Sequence, residues 1–140
     1  MTRPVWTEEE AFLVAERGHA LLLQGRYKEA TIIFEGLVAL DPSNVYCVNA
    51  LAALYIRQGK IVGAIELLTR ILEIYPNDVD TRARRCEALL MVGHVKEARK
   101  DWDALSRPSR VLLGRLGTLI EMAENRTIIA KQLSQASFDN

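Results

Sequence analysis

The chain has 140 residues, 49% of them hydrophobic and 26% charged, the proportions of a soluble globular protein of one-domain size. Eighteen Lys and Arg balance eighteen Asp and Glu, so the basic excess that displaces counterions from nucleic acid is missing. The two cysteines, Cys47 and Cys86, are too few for a disulfide framework and stand in no Cys/His cluster, which points to reduced thiols, no metal centre and a cytoplasmic setting.

The start of the chain lacks the apolar core of a secretory signal. No stretch nears the roughly 18 consecutive apolar residues that span a bilayer, so no membrane association is expected. Residues 1–78 hold seven basic and ten acidic side chains, and residues 79–140 hold eleven and eight. That polarity orients a partner without naming one.

The first predicted helix opens at Thr7-Glu8-Glu9-Glu10, a capping box with Thr7 as N-cap and Glu10 reaching back to it. The three carboxylates also suit the positive end of the helix dipole, and Trp6 is expected to pack on this helix. Val14, Leu21 and Leu22 recur at helical spacing up to Gly25, and Ala30, Ile33, Phe34, Leu37 and Val38 continue after it to Asp41-Pro42. Glycine accepts the positive φ that ends a helix, and Pro42 disfavours the α conformation in Asp41. The unit is a helix, a tight turn and a second helix.

The same unit recurs at an offset of 34 residues. Gly25 falls on Gly59 and Gly93, Ala30 on Ala64 and Ala98, and Pro42 on Pro76; Leu21, Tyr55 and Leu89 align, as do Phe34, Leu68 and Trp102, then Leu37, Ile71 and Leu105. The third copy has Arg110 in the proline column and Pro108 two residues earlier. It also carries Arg82 and Arg85, read here as part of an exposed charged face with Asp78–Arg82 and Asp80–Arg84 pairs, in preference to a basic site for an acidic peptide. Beyond it, Ser109 to about Gln135 is predicted as one helix. Leu112, Leu113, Leu116, Leu119, Ile120 and Ala123 form its apolar stripe, which Ile128, Ile129 and Leu133 continue. Gly114 and Gly117 suit close packing or a bend, and Ser134–Asn140 is expected to fray.

The columns of small residue, large apolar residue, alanine, aromatic or large apolar residue and proline are filled by Gly18, Leu21, Ala30, Phe34 and Pro42 in repeat one, about 11–44. Repeat two, about 45–78, supplies Ala52, Tyr55, Ala64, Leu68 and Pro76; repeat three, about 79–112, supplies Cys86, Leu89, Ala98 and Trp102. This pattern resembles the tetratricopeptide repeat. The resemblance implies an all-α fold, an α-solenoid of three helix-turn-helix repeats with a C-terminal capping helix at about 109–135, in one domain over residues 1–140.

It also implies a groove lined by Phe12, Ala15, His19, Leu22 and Leu23, then Tyr46, Asn49, Ala53, Ile56 and Arg57, then Asp80, Ala83, Glu87, Leu90 and Met91. So apolar a lining suits a bound protein or extended peptide client. The expected anchors are Phe12, Leu22, Tyr46, Ile56, Leu90 and Met91. Asn49 is either a backbone-bonding group or an ordinary polar helix residue, and Arg57, Arg84 and Glu87 bias direction from the rim. Repeats that hold the carboxylate tail of heat-shock proteins use lysines, asparagines and an arginine; the matching positions are Ala15, His19, Ala50, Asp80 and Arg84. Only the arginine remains, which disfavours that client.

The stretches from Gly25 to Asp41, Ala88 to Gly93 and Leu116 to Glu121 are similar to parts of the small type III secretion chaperones for translocator subunits. That likeness implies a secreted translocator subunit as client. It leaves a homodimer open, although the ten residues before repeat one are fewer than that family uses in dimerisation. The other readings are an assembly adaptor or scaffold of a secretion, pilus or envelope machine, and a regulatory docking subunit. His19 and His94 lack a second ligand at metal-binding spacing, and no phosphate loop, nucleophile elbow or dinucleotide fingerprint occurs. The expectation is a protein without cofactor or catalytic site.

Overall fold

The computed structural model describes residues 6–138; expectations for residues 1–5 and 139–140 lie outside them. Among the described residues the chain forms eight helices: α1 Glu8–Leu23, α2 Tyr27–Leu40, α3 Val45–Arg57, α4 Ile61–Ile74, α5 Val79–Met91, α6 Val95–Asp103, α7 Arg107–Leu112 and α8 Gly114–Phe138. They divide into two compact units, residues 1–76 with α1–α4 and residues 77–140 with α5–α8.

The three repeats share one turn chemistry. Gly25, Gly59 and Gly93 have φ of 76°, 79° and 78°, a left-handed conformation that costs a residue with a Cβ but not glycine. The next residue's N–H then reaches back five positions, as Arg26 N donates to the Leu21 carbonyl, Lys60 N to Tyr55 and His94 N to Leu89. This Schellman closure satisfies carbonyls that the ending helix leaves open. At the other ends, Thr7 and Glu10 form the reciprocal capping box, while Asn44 and Asp78 accept the backbone N–H of Cys47 and Thr81. Asp41, ahead of Pro42, has φ −140° and ends α2.

In the first unit α1 packs on α2, α2 on α3 and α3 on α4. Leu21, Ala30, Phe34, Leu37, Cys47, Leu51 and Leu54 form one core cluster, and Ala52, Ala64 and Leu68 a second. The repeat alanines sit at the crossings with no exposed surface. Phe34 is equally buried, a placement that contributes about 1.5–3 kcal/mol relative to an exposed ring.

In the second unit α5 pairs with α6, and α8 packs on both. Arg82 and Arg85 do not simply decorate a charged face. Arg82 Nη1 lies 3.1 Å from Asp101 Oδ1 on α6, and Arg85 Nε donates to Asp101 Oδ2 at 2.8 Å. This carboxylate is 3% exposed, so the two cations supply the pairing that a buried charge requires.

The single helix expected from Ser109 is two helices. Ser106 caps α7 through the Ser109 N–H with a proline in its first turn, and Leu113 leaves the helix at φ −102°, ψ 26°. The break swings α8 onto α5 and α6, where Leu116 and Ile120 are buried. Gly117 lies against Trp102; a Cβ there would stand 2.6 Å from the indole Cζ2. Arg99 grips Glu124 with two hydrogen bonds. Farther along, Ile128, Ile129 and Leu133 are exposed, so the apolar stripe continues past its packing partner. Helix, not frayed chain, runs through Ser134 to Phe138.

Candidate functional site

A cleft of about 1140 Å³ opens in the first unit. Thr7 starts α1 so that Ala11, Phe12, Ala15, His19 and Leu23 recur at intervals of three and four on one helix face and form its wall. Leu37 and Leu40 from the end of α2 line it too, as do Tyr46 and Cys47 from the start of α3, with Trp6 beside α1. Phe12 is 62%, Leu23 72% and Tyr46 53% exposed. Three large apolar side chains thus face solvent within one concavity, against the ordinary tendency to bury them.

Tyr46 is held on two sides. Its ring meets Phe34 edge-on at 6.3 Å between centroids, a favoured aromatic geometry, and its hydroxyl lies 3.3 Å from His19 Nδ1. Burial, with Cys47 adding a smaller effect, pushes the Tyr46 hydroxyl above its ordinary range, so it stays a neutral donor and acceptor. The same cause, reinforced by Asp41, raises the Cys47 thiol, and burial pushes Cys86 up to about 12. Neither sulfur is a nucleophile at neutral pH.

The charged side chains on the lining are Glu8, Glu16 and Asp41; no Lys or Arg lines the cleft among the described residues. Asp41 accepts the N–H and the hydroxyl of Ser43, neutral donors that leave its charge intact.

Of the expected groove residues, Phe12, Ala15 and His19 on α1 and Tyr46 on α3 come together in this cleft, joined by Leu23. Leu22 instead packs against the core of the unit, and Ile56 against the Ala52–Ala64–Leu68 cluster. Both are partly buried. Ala53 is half-buried. Asn49 donates its side-chain amide to the Val45 carbonyl at 3.0 Å, as an ordinary polar helix residue does. Arg57 lies over the Tyr27 ring at 4.3 Å, a cation–π contact that ties the end of α3 to the start of α2. Ala83, Arg84, Glu87, Leu90 and Met91 lie on α5 in the second unit, where Glu87 and Met91 are exposed and the others half-buried. The sequence reading missed Trp6, Leu40 and the acidic lining; only the fold brings residues 6–23 beside residues 37–47.

Antiparallel helix pairs repeated every 34 residues, each closed by the same glycine turn, define the class of helical-hairpin repeat proteins. The tetratricopeptide repeat family model matches residues 21–78 and 55–101, and the chain belongs to this family. A curated relative, DnaJ homolog subfamily C member 3 of Rattus norvegicus, is 31% identical over 96 residues, 67% of this chain and 19% of that protein; the chain therefore spans about a fifth of its relative's length.

Solved structures of similar fold include PcrH in complex with the chaperone binding region of PopD, with a TM-score of 0.77 and 19% identity over 91% of this chain and 99% of that one. The Yersinia enterocolitica type III secretion chaperone SycD, in complex with a peptide of the translocator YopD, gives 0.76 and 17% over 86% and 97%. The first repeat domain of Spaghetti (RPAP3), bound to the HSP90 peptide SRMEEVD, gives 0.69 and 20% over 82% and 96%. Identities this low show a shared fold. No helix among the described residues is long and apolar enough to cross a membrane.

Proposed function

We propose that this protein is a cytoplasmic, non-catalytic chaperone that holds an apolar segment of a secreted client in the cleft of its first unit. The observation that carries this reading is the exposure of Phe12, Leu23 and Tyr46 in a single cleft large enough for several side chains. A free surface of this kind loses unfavourable hydration when a partner's apolar residues enter it. PcrH in complex with the chaperone binding region of PopD and SycD in complex with a peptide of the translocator YopD share this fold, which supports the reading and a translocator-like client. The tail-binding alternative has less support. Ala15 and His19 stand on the cleft lining, and Glu8, Glu16 and Asp41 beside them would repel a carboxylate. The groove residues Ala83, Arg84, Glu87, Leu90 and Met91 belong to the proposal as a further contact surface on α5.

The test is affinity purification from the native host with identification of bound chains, using wild type, Phe12→Ala/Tyr46→Ala, and a control changed at the exposed α4 residues Arg70 and Glu73. An aggregation-prone exported client lost only with the cleft variant is the expected result. Folded machine components retained by the cleft variant and lost by the α4 variant would establish an adaptor instead.

A further inference from the structure

The cleft in the first unit is apolar in its walls and acidic in its charge. Glu8, Glu16 and Asp41 all line it, without a lysine or arginine among them, and no ion pair within the described residues engages Glu8 or Glu16. The three carboxylates differ in what relieves them. Glu8 stands in the first turn of α1, where the positive helix end offsets part of its charge. Glu16 is in the middle of that helix and has no such relief. Asp41 is the C-cap of α2, whose last turn contains no basic residue, so its charge adds to the partial negative charge that collects at a helix C-terminus. Leu37, Leu40 and Asp41 bring that negative end onto the cleft. A cation in the last turn of α2 would be the favourable partner for that helix end, and none is present there.

We infer that this cleft selects client segments in which apolar anchors are flanked by lysine or arginine. The inference rests on the reading of the cleft as the client site and specifies the chemistry of the segment it takes. Phe12, Leu23 and Tyr46 receive the apolar side chains, and the acidic lining attracts the flanking cations. Exposed charges of this kind act through long-range attraction and orientation, so the preference resides largely in the association rate and weakens with salt. An acidic-flanked segment meets the same carboxylates as repulsion, which disfavours it relative to a basic-flanked one.

The test uses the full chain and two fluorescein-labelled 16-residue peptides with one shared core, Leu-Ala-Ser-Ile-Ala-Ser-Ser-Leu, flanked by lysines in one and glutamates in the other. Anisotropy titrations are run at pH 7.5 in low salt and in high salt. Expected is an affinity about tenfold higher for the lysine-flanked peptide in low salt, with most of the difference in association rate, shrinking to about twofold in high salt. Glu16→Gln/Asp41→Asn, which keeps side-chain shape and the Ser43 contact geometry, is expected to narrow the difference in low salt too. Equal affinity of the two peptides overturns the charge preference and leaves the cleft as a client site. Failure of both peptides to bind, with helical circular dichroism intact, overturns both readings. A preference that survives the double variant unchanged places the selection elsewhere and overturns the inference.

Discussion

At the residue scale, the Arg82–Asp101–Arg85 tie shows how one repeat can replace an apolar contact with an ionic one. Offset by 34, the same three columns in the second repeat hold Val48, Leu51 and Leu67, and Val48 and Leu51 are buried there. The first repeat holds Val14, Arg17 and Ile33 in these columns, so an arginine in the middle column does not by itself signal the pairing. Reading each helix by itself hid it, because Asp101 is on the neighbouring helix. Asp101→Ala leaves two half-buried guanidinium groups without this partner and is expected to cost about 3 kcal/mol, read as a lowered urea midpoint. Arg82→Val/Arg85→Leu/Asp101→Leu, which imports the second repeat's pattern, is expected to retain wild-type stability or exceed it. An unchanged midpoint for Asp101→Ala would remove the tie from the account. Ile56 illustrates the opposite limit of sequence reading. Its column faces the groove in the family's pattern, but its side chain packs on Ala52, Ala64 and Leu68, and packing depth at a half-buried position has no signature in periodicity.

At the scale of elements, the turn glycines, crossing alanines and helix-stopping prolines were all readable, since each imposes a local backbone or steric requirement. The break between α7 and α8 was less so. Leu112, Leu113 and Leu116 keep helical spacing through it, and the bend exists because Leu116, Gly117 and Ile120 find partners on α5 and α6. The two halves of α8 should behave differently on truncation. Removing residues from Ser109 onward uncovers Trp102 and its neighbours, and reduced solubility and cooperativity are expected, as for a repeat array without its cap. Removing only residues after Asn125 takes away a stretch whose side chains over 126–137 are already exposed, and the melting temperature should stay nearly unchanged. Equal loss in both truncations would mean that the far half of α8 contributes packing this structure does not contain.

The docking of α8 is expected to weaken in acid. The Arg99 hydrogen bonds hold the Glu124 carboxyl below its ordinary value, so this contact contributes stability above the unfolded glutamate range and loses it as pH falls through the lower folded value. Acidification below about 4.5 is where the loss should begin. Glu124→Gln should flatten that part of the stability profile while leaving neutral-pH helicity intact. A profile identical to wild type through this window would contradict the assignment.

For the whole molecule, one domain over residues 1–140 is a proposal, and its two compact units carry convenient probes. Trp6 belongs to the first unit and Trp102 to the second. With Trp6 replaced by Phe and Trp102 kept as the reporter of the second unit, fluorescence and far-UV circular dichroism are expected to give coincident urea transitions for a single cooperative domain. Two separated transitions would make the units independent. The cleft of the first unit was partly legible: Phe12, Ala15, His19 and Tyr46 on its lining were expected from the family's register, while its acidic lining depends on the end of α2 meeting α1 and α3 in space. The central claim is that Tyr46 and its neighbours hold a client segment, and the most direct test is titration of the recovered client segment against wild type and Tyr46→Ala. Tyr46→Ala is expected to lose about 2 kcal/mol or more in binding, roughly thirtyfold in affinity, with helical circular dichroism unchanged. Unchanged affinity in a folded Tyr46→Ala protein would contradict it.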